Sequence, residues 1–434
     1  MERFIKVFKN KKTIFILILL LAFLLRFYYI FVVHPPERFI YSDMQGYYDR
    51  ALKISHGMPQ NIADSLTAPG THYFYSICFY TGHPFLMLKL MNLFISILSC
   101  YFIFLITKEM FSRRAALIAF FISSINFLFI DFTGYILSET PFIFFFSLLF
   151  YLMIKSTKAS NVSNKCIFLT LAGLCSSIAV AIRPGILIFI LLFILWNLIN
   201  WKKQKVVSTL FFVLGYLPIY ALLTFHTYQL TGNTGFVSTN GGLNFYQGRS
   251  HVKDIRFNDL QRGFQFFFAS PVAVQKGYDF NTSFDFGPYE SSRLFEEGMK
   301  EVRKDIPRTV SFSLEHILDL LHTTVIWPSC CAGGSIEKVV KYFNIFFIYI
   351  IILPSIIPIL TSFKRFAFSN ALLLYIALGS NIIVAMIYYG DPRFRVPFDM
   401  FSIILTAYLL SVISFNQLKY NIGLIRTYFH SKKV

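Results

Sequence analysis

Along the chain, apolar residues come in long runs separated by short polar breaks. Ten runs are counted, at about 13–33, 85–107, 115–131, 141–154, 166–182, 185–200, 206–225, 342–360, 370–389 and 397–415. Roughly 17 to 25 such residues in a helix cross about 30 Å of hydrocarbon, and the short fourth run borrows from its flanks. The pattern predicts an all-α polytopic membrane protein with about ten transmembrane helices. It divides into an N-terminal transmembrane module (1–225), an extracytoplasmic segment (226–341), and C-terminal transmembrane helices with a basic cytoplasmic tail (342–434). Residues 289–328 read as two amphipathic helices broken at Pro307. The second, with Phe312, Leu314, Ile317, Leu318, Leu321 and Val325, suits a helix lying on the membrane or on the bundle. The segment is therefore expected to form a helical cap.

Composition agrees with this class. The 434 residues are 56% hydrophobic, 19% aromatic and 14% charged, against about a quarter charged in soluble proteins. Charge then sets the orientation. With the basic flank "MERFIKVFKNKK" placed inside and the runs alternating, the inner segments are 1–12, 108–114, 155–165, 201–205, 361–369 and 416–434. They hold twenty of the forty Lys and Arg but only Glu2 and Glu109 as acids, which accounts for the net charge of +18. The excess is a topology signal drawn to anionic inner-leaflet lipids, and nucleic-acid binding is not needed to explain it. Both termini are expected in the cytoplasm, in a multi-pass protein of the cell inner (plasma) membrane. The first run is longer than a signal-peptide core and no small-x-small site follows it, so it reads as an uncleaved anchor. The six cysteines show no ligand-like spacing; the adjacent Cys330 and Cys331 read as two thiols or a vicinal disulfide.

In this orientation the unusual polar residues gather on the outer side. The first outer loop, about 34–83, contains "IYSDMQGYYDRA" (40–51). Ser42 and Gln45 fit a capping box, and Asp43 in the first turn complements the helix dipole, so a helix-start role explains it. Asp43, Tyr47 and Ala51 also share one face that begins at the membrane surface, which suits a group taking a proton from a substrate arriving there. Asp49 falls on another face and is expected to be solvated or to pair with Lys53. His72, in "LTAPGTHYF" (66–74), is a packing residue or a site residue.

Glu139, in "DFTGYILSETP" (131–141), is expected at a helix start capped by Ser138, with Pro141 in the first turn. Asp131 lies at the end of the third run. Arg183 ends a hydrophobic helix and either snorkels or faces a pocket; snorkelling is also expected of Lys89 and Arg26. Arg393 and Arg395, in "GDPRFRVP" (390–397), lie between two prolines with Asp391 and Asp399 nearby. Guanidinium forks bind phosphate bidentately, so arginines at the membrane surface beside a candidate base point to a lipid-linked phosphate. "STNGGLNFYQGRS" (238–250) is a Gly- and Asn-rich region able to form anion-binding backbone nests.

Taken together, "SDMQGYYDRALKISHG" (42–57), "APGTHYF" (68–74), "LSETPFIFF" (137–145), "NGGLNFYQG" (240–248) and "GDPRFRVPFDMFSIIL" (390–405) resemble the polytopic GT-C glycosyltransferases. The resemblance is to the bacterial glycosyltransferase family 39 and dolichyl-phosphate-mannose-protein mannosyltransferase-like proteins. It implies an inverting transfer of a sugar from a polyprenyl-phosphate donor to a lipid, glycan or protein acceptor. It implies Asp43 as catalytic base, Arg393, Arg395 and Arg183 at the leaving phosphate, and Glu139, Tyr47 and His72 as substrate-binding neighbours. Where the protein mannosyltransferases carry a paired Asp-Glu, this chain has Asp43 followed by Met44. Nothing in the spacing demands a cofactor, and metal dependence is open: Asp43 with Asp131 or Glu139 can hold a divalent ion through oxygen ligands. Two other classes compete: an O-antigen ligase or polymerase, dependent on His316 or His322 of the late outer segment, and a transporter or lipid flippase, which would place ionisable groups near the bilayer midplane.

Overall fold

The computed structural model describes residues 10–199, 203–234, 237–250, 252–322, 326–329, 333–360 and 371–413. Cys330, Cys331, Val325, the loop 361–369 and the basic tail 416–434 lie outside the described residues. The chain is a helical bundle: α1 (Lys11–Tyr28), α2 (Asp43–Ser55), α3 (Gly70–Phe79), α4 (Pro84–Met110), α5 (Arg113–Ile125), α6 (Phe127–Asp131), α7 (Glu139–Lys158), α8 (Val162–Ile182), α9 (Leu187–Ile199), α10 (Lys203–Thr231), α11 (Asn240–Arg249), α12 (Ser291–Lys304), α13 (Ile306–Asp319), α14 (Gly334–Phe347), α15 (Leu372–Ile387) and α16 (Asp399–Val412).

Among the described residues seven helical stretches are long and apolar enough to cross a membrane, and α5 with the helical stretch through Gly134 makes an eighth bent by 54°. The other two of the ten expected spans, at 185–200 and 370–389, form shorter apolar helices, Pro184–Asn197 and Leu372–Ile387.

The bend has a local cause. Asn126 leaves the helix with ψ 109°, and its side-chain oxygen caps α6 by accepting from the backbone N–H of Leu128 and Phe129. Carbonyls freed at such a break need partners within the bundle. Arg26 supplies them: it donates to Ser124 O at 2.9 Å and Ser123 O at 3.3 Å, and also to Ser96 Oγ at 2.7 Å and Cys100 Sγ at 3.2 Å. Arg26 is thus fully buried rather than snorkelling, because α5 carries unsatisfied acceptors within its reach.

The core between α7, α9 and α16 is built from phenylalanines. Phe146 packs edge-on to Phe401 at 5.2 Å and to Phe189 at 5.7 Å, and Phe150 lies 4.4 Å from Phe401. Such pairs contribute about 0.5–1.5 kcal/mol each beyond their buried area, and they fix α7 and α16, whose N-terminal ends carry site residues.

Beyond the expected helices, residues 252–284 form a three-stranded sheet of order β2-β1-β3: β1 (Val252–Asp259), β2 (Phe264–Ala269) and β3 (Phe280–Phe284). β1 is antiparallel to β2, with Ile255 opposite Phe268, and parallel to β3, with Phe257 opposite Phe284. Ile255 and Phe257 point one way in the period-two pattern of a strand and join a small core with Leu243, Tyr246, Phe286 and Leu294. In α13, Phe312 is buried whereas Leu314 and Leu318 face outward.

Candidate active site

The site grows from four chain breaks that meet at one end of the bundle. α2 begins at Asp43, directly after Ser42, which is the one non-glycine with positive φ (51°) among the described residues. That conformation costs a residue with a Cβ on the order of 1–3 kcal/mol, and it turns the chain so that Asp43 heads the helix. Ser42 makes no side-chain cap. Gln45 donates instead to Asp49 Oδ1 at 2.7 Å, and Lys53 pairs with Asp64 at 2.6 Å rather than with Asp49. Asp64 draws Lys53 because its carboxylate is already fixed by the Asn61 backbone and by Arg50 at 3.5 Å. Of the face formed by Asp43, Tyr47 and Ala51, Ala51 is buried and Tyr47 packs on the core with its ring 5.3 Å from His72. Asp43 stands at the open end, its side chain 54% exposed. Met44 is buried, so the position of the second acid of the Asp-Glu pair is an apolar packing site here.

Opposite Asp43, Glu139 occupies the first turn of α7 and is fully buried. The positive helix end favours a carboxylate there. Its Oε1 accepts from both Arg183 Nη2 at 2.7 Å and Arg393 Nε. Ser138 does not cap α7; its Oγ accepts from Arg183 Nε at 2.9 Å. Arg183 reaches this point because α8 ends on it in an extended conformation before Pro184, and its guanidinium lies 5.9 Å from the rings of Phe142 and Phe394. Arg393 sits in the single turn Pro392–Arg395, which Asp391 caps by accepting from the Arg393 backbone N–H at 2.7 Å. Its Nη1 donates to Asp43 Oδ2 at 3.2 Å, and its guanidinium carbon lies 4.4 Å over the Trp327 ring.

Asp43, Arg393, Glu139 and Arg183 are thereby one chain of charges. Its two arginines each keep one terminal nitrogen, Arg393 Nη2 and Arg183 Nη1, that donates to no described residue. Two guanidinium edges beside an exposed carboxylate can receive a phosphate while the carboxylate receives a proton. Burial, and then the Asp43 charge, push the Tyr47 phenol above its ordinary range. Burial raises the Asp391 carboxyl, and burial, reinforced by Arg50, lowers His72 to about 3. His72 is thus a neutral ring, within 3.0 Å of Thr67 Oγ1.

Other expected site residues lie elsewhere. Arg395 is buried and turned away: it donates to Asp399 at 3.0 Å, Asn344 Oδ1 at 2.6 Å and Leu320 O at 3.2 Å. Residues two apart on a helical turn do not face the same way, so Arg393 and Arg395 cannot share one ligand there. Asp131 is buried against Tyr29 and Ser329. Lys89 pairs with Glu37 beside Phe31. Among the described residues no group of three or more His, Cys, Asp or Glu side chains is gathered as a metal would require. The stretch 240–249 is a helix rather than an anion nest. Its glycines allow close backbone approach: a Cβ on Gly248 would lie 1.6 Å from Tyr388 O, and one on Gly242 2.2 Å from Ser291 O. Trp327 is the contact that sequence reasoning missed; an aromatic before a proline in a long loop carries no signal of its partner.

Residues 54–230 match the family model of dolichyl-phosphate-mannose-protein mannosyltransferase. No curated protein matches the chain. Among solved structures, the fold is similar to the oligosaccharyltransferase of Archaeoglobus fulgidus tethered with an acceptor peptide, with TM-score 0.52 and 17% identity over 94% of this chain and 50% of that one. It is also similar to the archaeal oligosaccharyltransferase AglB from Archaeoglobus fulgidus in complex with an inhibitory peptide and a dolichol-phosphate, with TM-score 0.51 and 16% identity over 95% of this chain and 51% of that one. The chain spans about half the length of these structures. The family match and the shared fold bear out the resemblance and the fold class: the chain has the GT-C fold, with the dolichyl-phosphate-mannose-protein mannosyltransferase pattern over residues 54–230.

Proposed function

We propose that the protein is an inverting glycosyltransferase that moves a sugar from a polyprenyl-phosphate donor to an acceptor hydroxyl of a lipid, glycan or protein at the outer face of the membrane. The observation that carries this reading is the single ion-pair chain from exposed Asp43 through Arg393 to buried Glu139 and Arg183. In the reaction the acceptor O–H gives its proton to the Asp43 carboxylate while its oxygen attacks the anomeric carbon. The bond from that carbon to the phosphate oxygen breaks, and the electron pair leaves with the polyprenyl phosphate. One displacement inverts the configuration. Negative charge grows on the departing phosphate, where fixed donors aimed at developing charge stabilise the transition state; Arg393 Nη2 and Arg183 Nη1 are placed for that task. Glu139 holds both guanidiniums in place, and Tyr47, one turn on from Asp43, is backed by the His72 ring. The family model over 54–230 supports the donor class, as does the dolichol-phosphate in the complex of AglB. The ligase alternative rests on His316 or His322 of the late outer segment; His316 is buried, 1% exposed, which disfavours it as a reacting group, whereas His322 is exposed and His322→Ala set beside Asp43→Asn separates the two readings.

The test is to incubate the purified protein, in native lipid, with a panel of radiolabelled polyprenyl-phosphate sugars. Donor consumption with a product of inverted anomeric configuration supports the reading. A folded protein that consumes no donor sinks it.

A further inference from the structure

Residues 326–329 belong to the long segment after α13, yet they touch three separate parts of the site and its surroundings. The Trp327 ring lies under the Arg393 guanidinium at 4.4 Å. Pro328 O accepts from Tyr41 OH at 2.7 Å, two residues before Asp43. Ser329 Oγ donates to Asp131, whose other carboxylate oxygen accepts from Tyr29 OH. Ile326 and Ser329 are buried, 1% and 0% exposed.

Asp131 is a buried carboxylate with two hydroxyl donors and, among the described residues, no cationic partner. Keeping such a charge is costly. It does not touch the Asp43, Arg393, Glu139 and Arg183 chain; a route of contacts leads from it to Arg393 through its hydrogen bond to Ser329, then along Pro328 to the Trp327 ring. Arg393, for its part, has Nε and Nη1 committed to carboxylates and one face covered by Trp327, so its Nη2 edge has a fixed direction. A fork contact to phosphate depends on the guanidinium plane.

We propose that residues 326–329 are a positioning strap for the donor phosphate: Trp327 sets the plane of Arg393, and Asp131 sets Trp327 by holding Ser329. This rests on the donor reading above for its activity readout. Trp327 and Asp131 are positioning residues and touch no reacting atom.

Tryptophan occurs three times in the chain, so a Trp196→Phe, Trp201→Phe background leaves Trp327 as the only indole. Polyprenyl phosphate is titrated into this protein while emission is followed. The expected result is a saturable change that Arg393→Gln abolishes and that Asp131→Asn, with the protein shown folded by size exclusion and unfolding, shifts to about tenfold higher concentration, the scale of one cation–π contact. In turnover assays Trp327→Leu is expected to lower kcat/KM for the donor about tenfold, and Trp327→Tyr to restore most of it. The strap is overturned if the emission does not respond in the parent background. It is also overturned if Asp131→Asn leaves the titration unchanged, or if Trp327→Leu leaves kcat/KM for the donor unchanged. A protein that turns over no donor refutes the transferase reading, while the emission titration with the phosphate lipid still decides the strap.

Discussion

Asp43 and Arg393 are 350 residues apart in sequence, and their side chains meet at 3.2 Å. The pair is asymmetric, because Asp43 is 54% exposed and Arg393 only 11%. The arginine belongs to the buried network and the aspartate to its exposed end, so under the proposed reaction the aspartate is the member that meets the acceptor.

Replacing Asp43 by Asn keeps the shape and removes the proton acceptor. A general base contributes about 10²–10⁴ in rate, and loss of that order in donor turnover is expected with donor binding retained. An exposed ion pair adds at most about 1 kcal/mol of stability, so the unfolding midpoint should barely move. Turnover measured beside donor binding and thermal unfolding checks this; a variant as active as the parent would return Asp43 to a helix-start role.

Glu139 is different in kind. It is fully buried and holds Arg183 and Arg393 at once, so Glu139→Ala leaves Arg183 without its carboxylate and Arg393 with Asp43 alone. Breaking a buried pair from one side costs about 3–5 kcal/mol, and the variant is expected to lose that much in denaturant unfolding. Glu139→Gln combined with Arg183→Met should be less damaging than the sum of the single changes, since contacting residues are non-additive. Additive losses would show that the carboxylate does not act through the arginine.

Under the proposed reaction, Arg393 and Arg395 separate function from structure within one turn. Arg395 is spent on Asp399, Asn344 and a backbone carbonyl, so Arg395→Met is expected to lower stability by about 3–5 kcal/mol because Asp399 stays buried without its cation. Arg393→Lys keeps the charge but not the planar fork, and is expected to cost about 10²-fold in kcat with a smaller stability change. The comparison is read from kcat and the unfolding midpoint in the same detergent, and equal stability losses with equal residual activity would remove the distinction.

The members of the charge chain were legible because they lie in short polar breaks between apolar runs, and alternating spans bring such breaks to one end. What the spacing does not carry is direction: Arg393 and Arg395 look equivalent in "DPRFRVP", and only the helical turn separates them. Arg26 looked like a snorkelling residue because the carbonyls it serves are made by a break near Asn126, about a hundred residues on. The glycines of "NGGLNFYQG" suit a nest as well as a close helix contact, and the choice was made by Tyr388 and Ser291, distant in sequence. The sheet at 252–284 was hidden because its short strands bury only a few side chains each.

The pH dependence of the first loop follows from His72. Burial, then Arg50, hold its folded pKa at about 3, below the ordinary value of about 6.5. Between those values the unfolded chain binds a proton that the folded one does not, so stability rises with pH. The full stability is present above about pH 6.5 and is lost as the pH falls toward 3, by on the order of 1 kcal/mol per unit. Burial also lowers other histidines, His316 to about 4 among them, so the wild-type slope contains several rings. His72→Gln removes one of them while keeping a polar partner for Thr67, and is expected to flatten the loss between pH 6.5 and 4.5 by one ring's share, about 1 kcal/mol per unit. Unfolding midpoints measured across that range test this; an unchanged slope in the variant would mean that His72 gains access to water and titrates as an ordinary histidine.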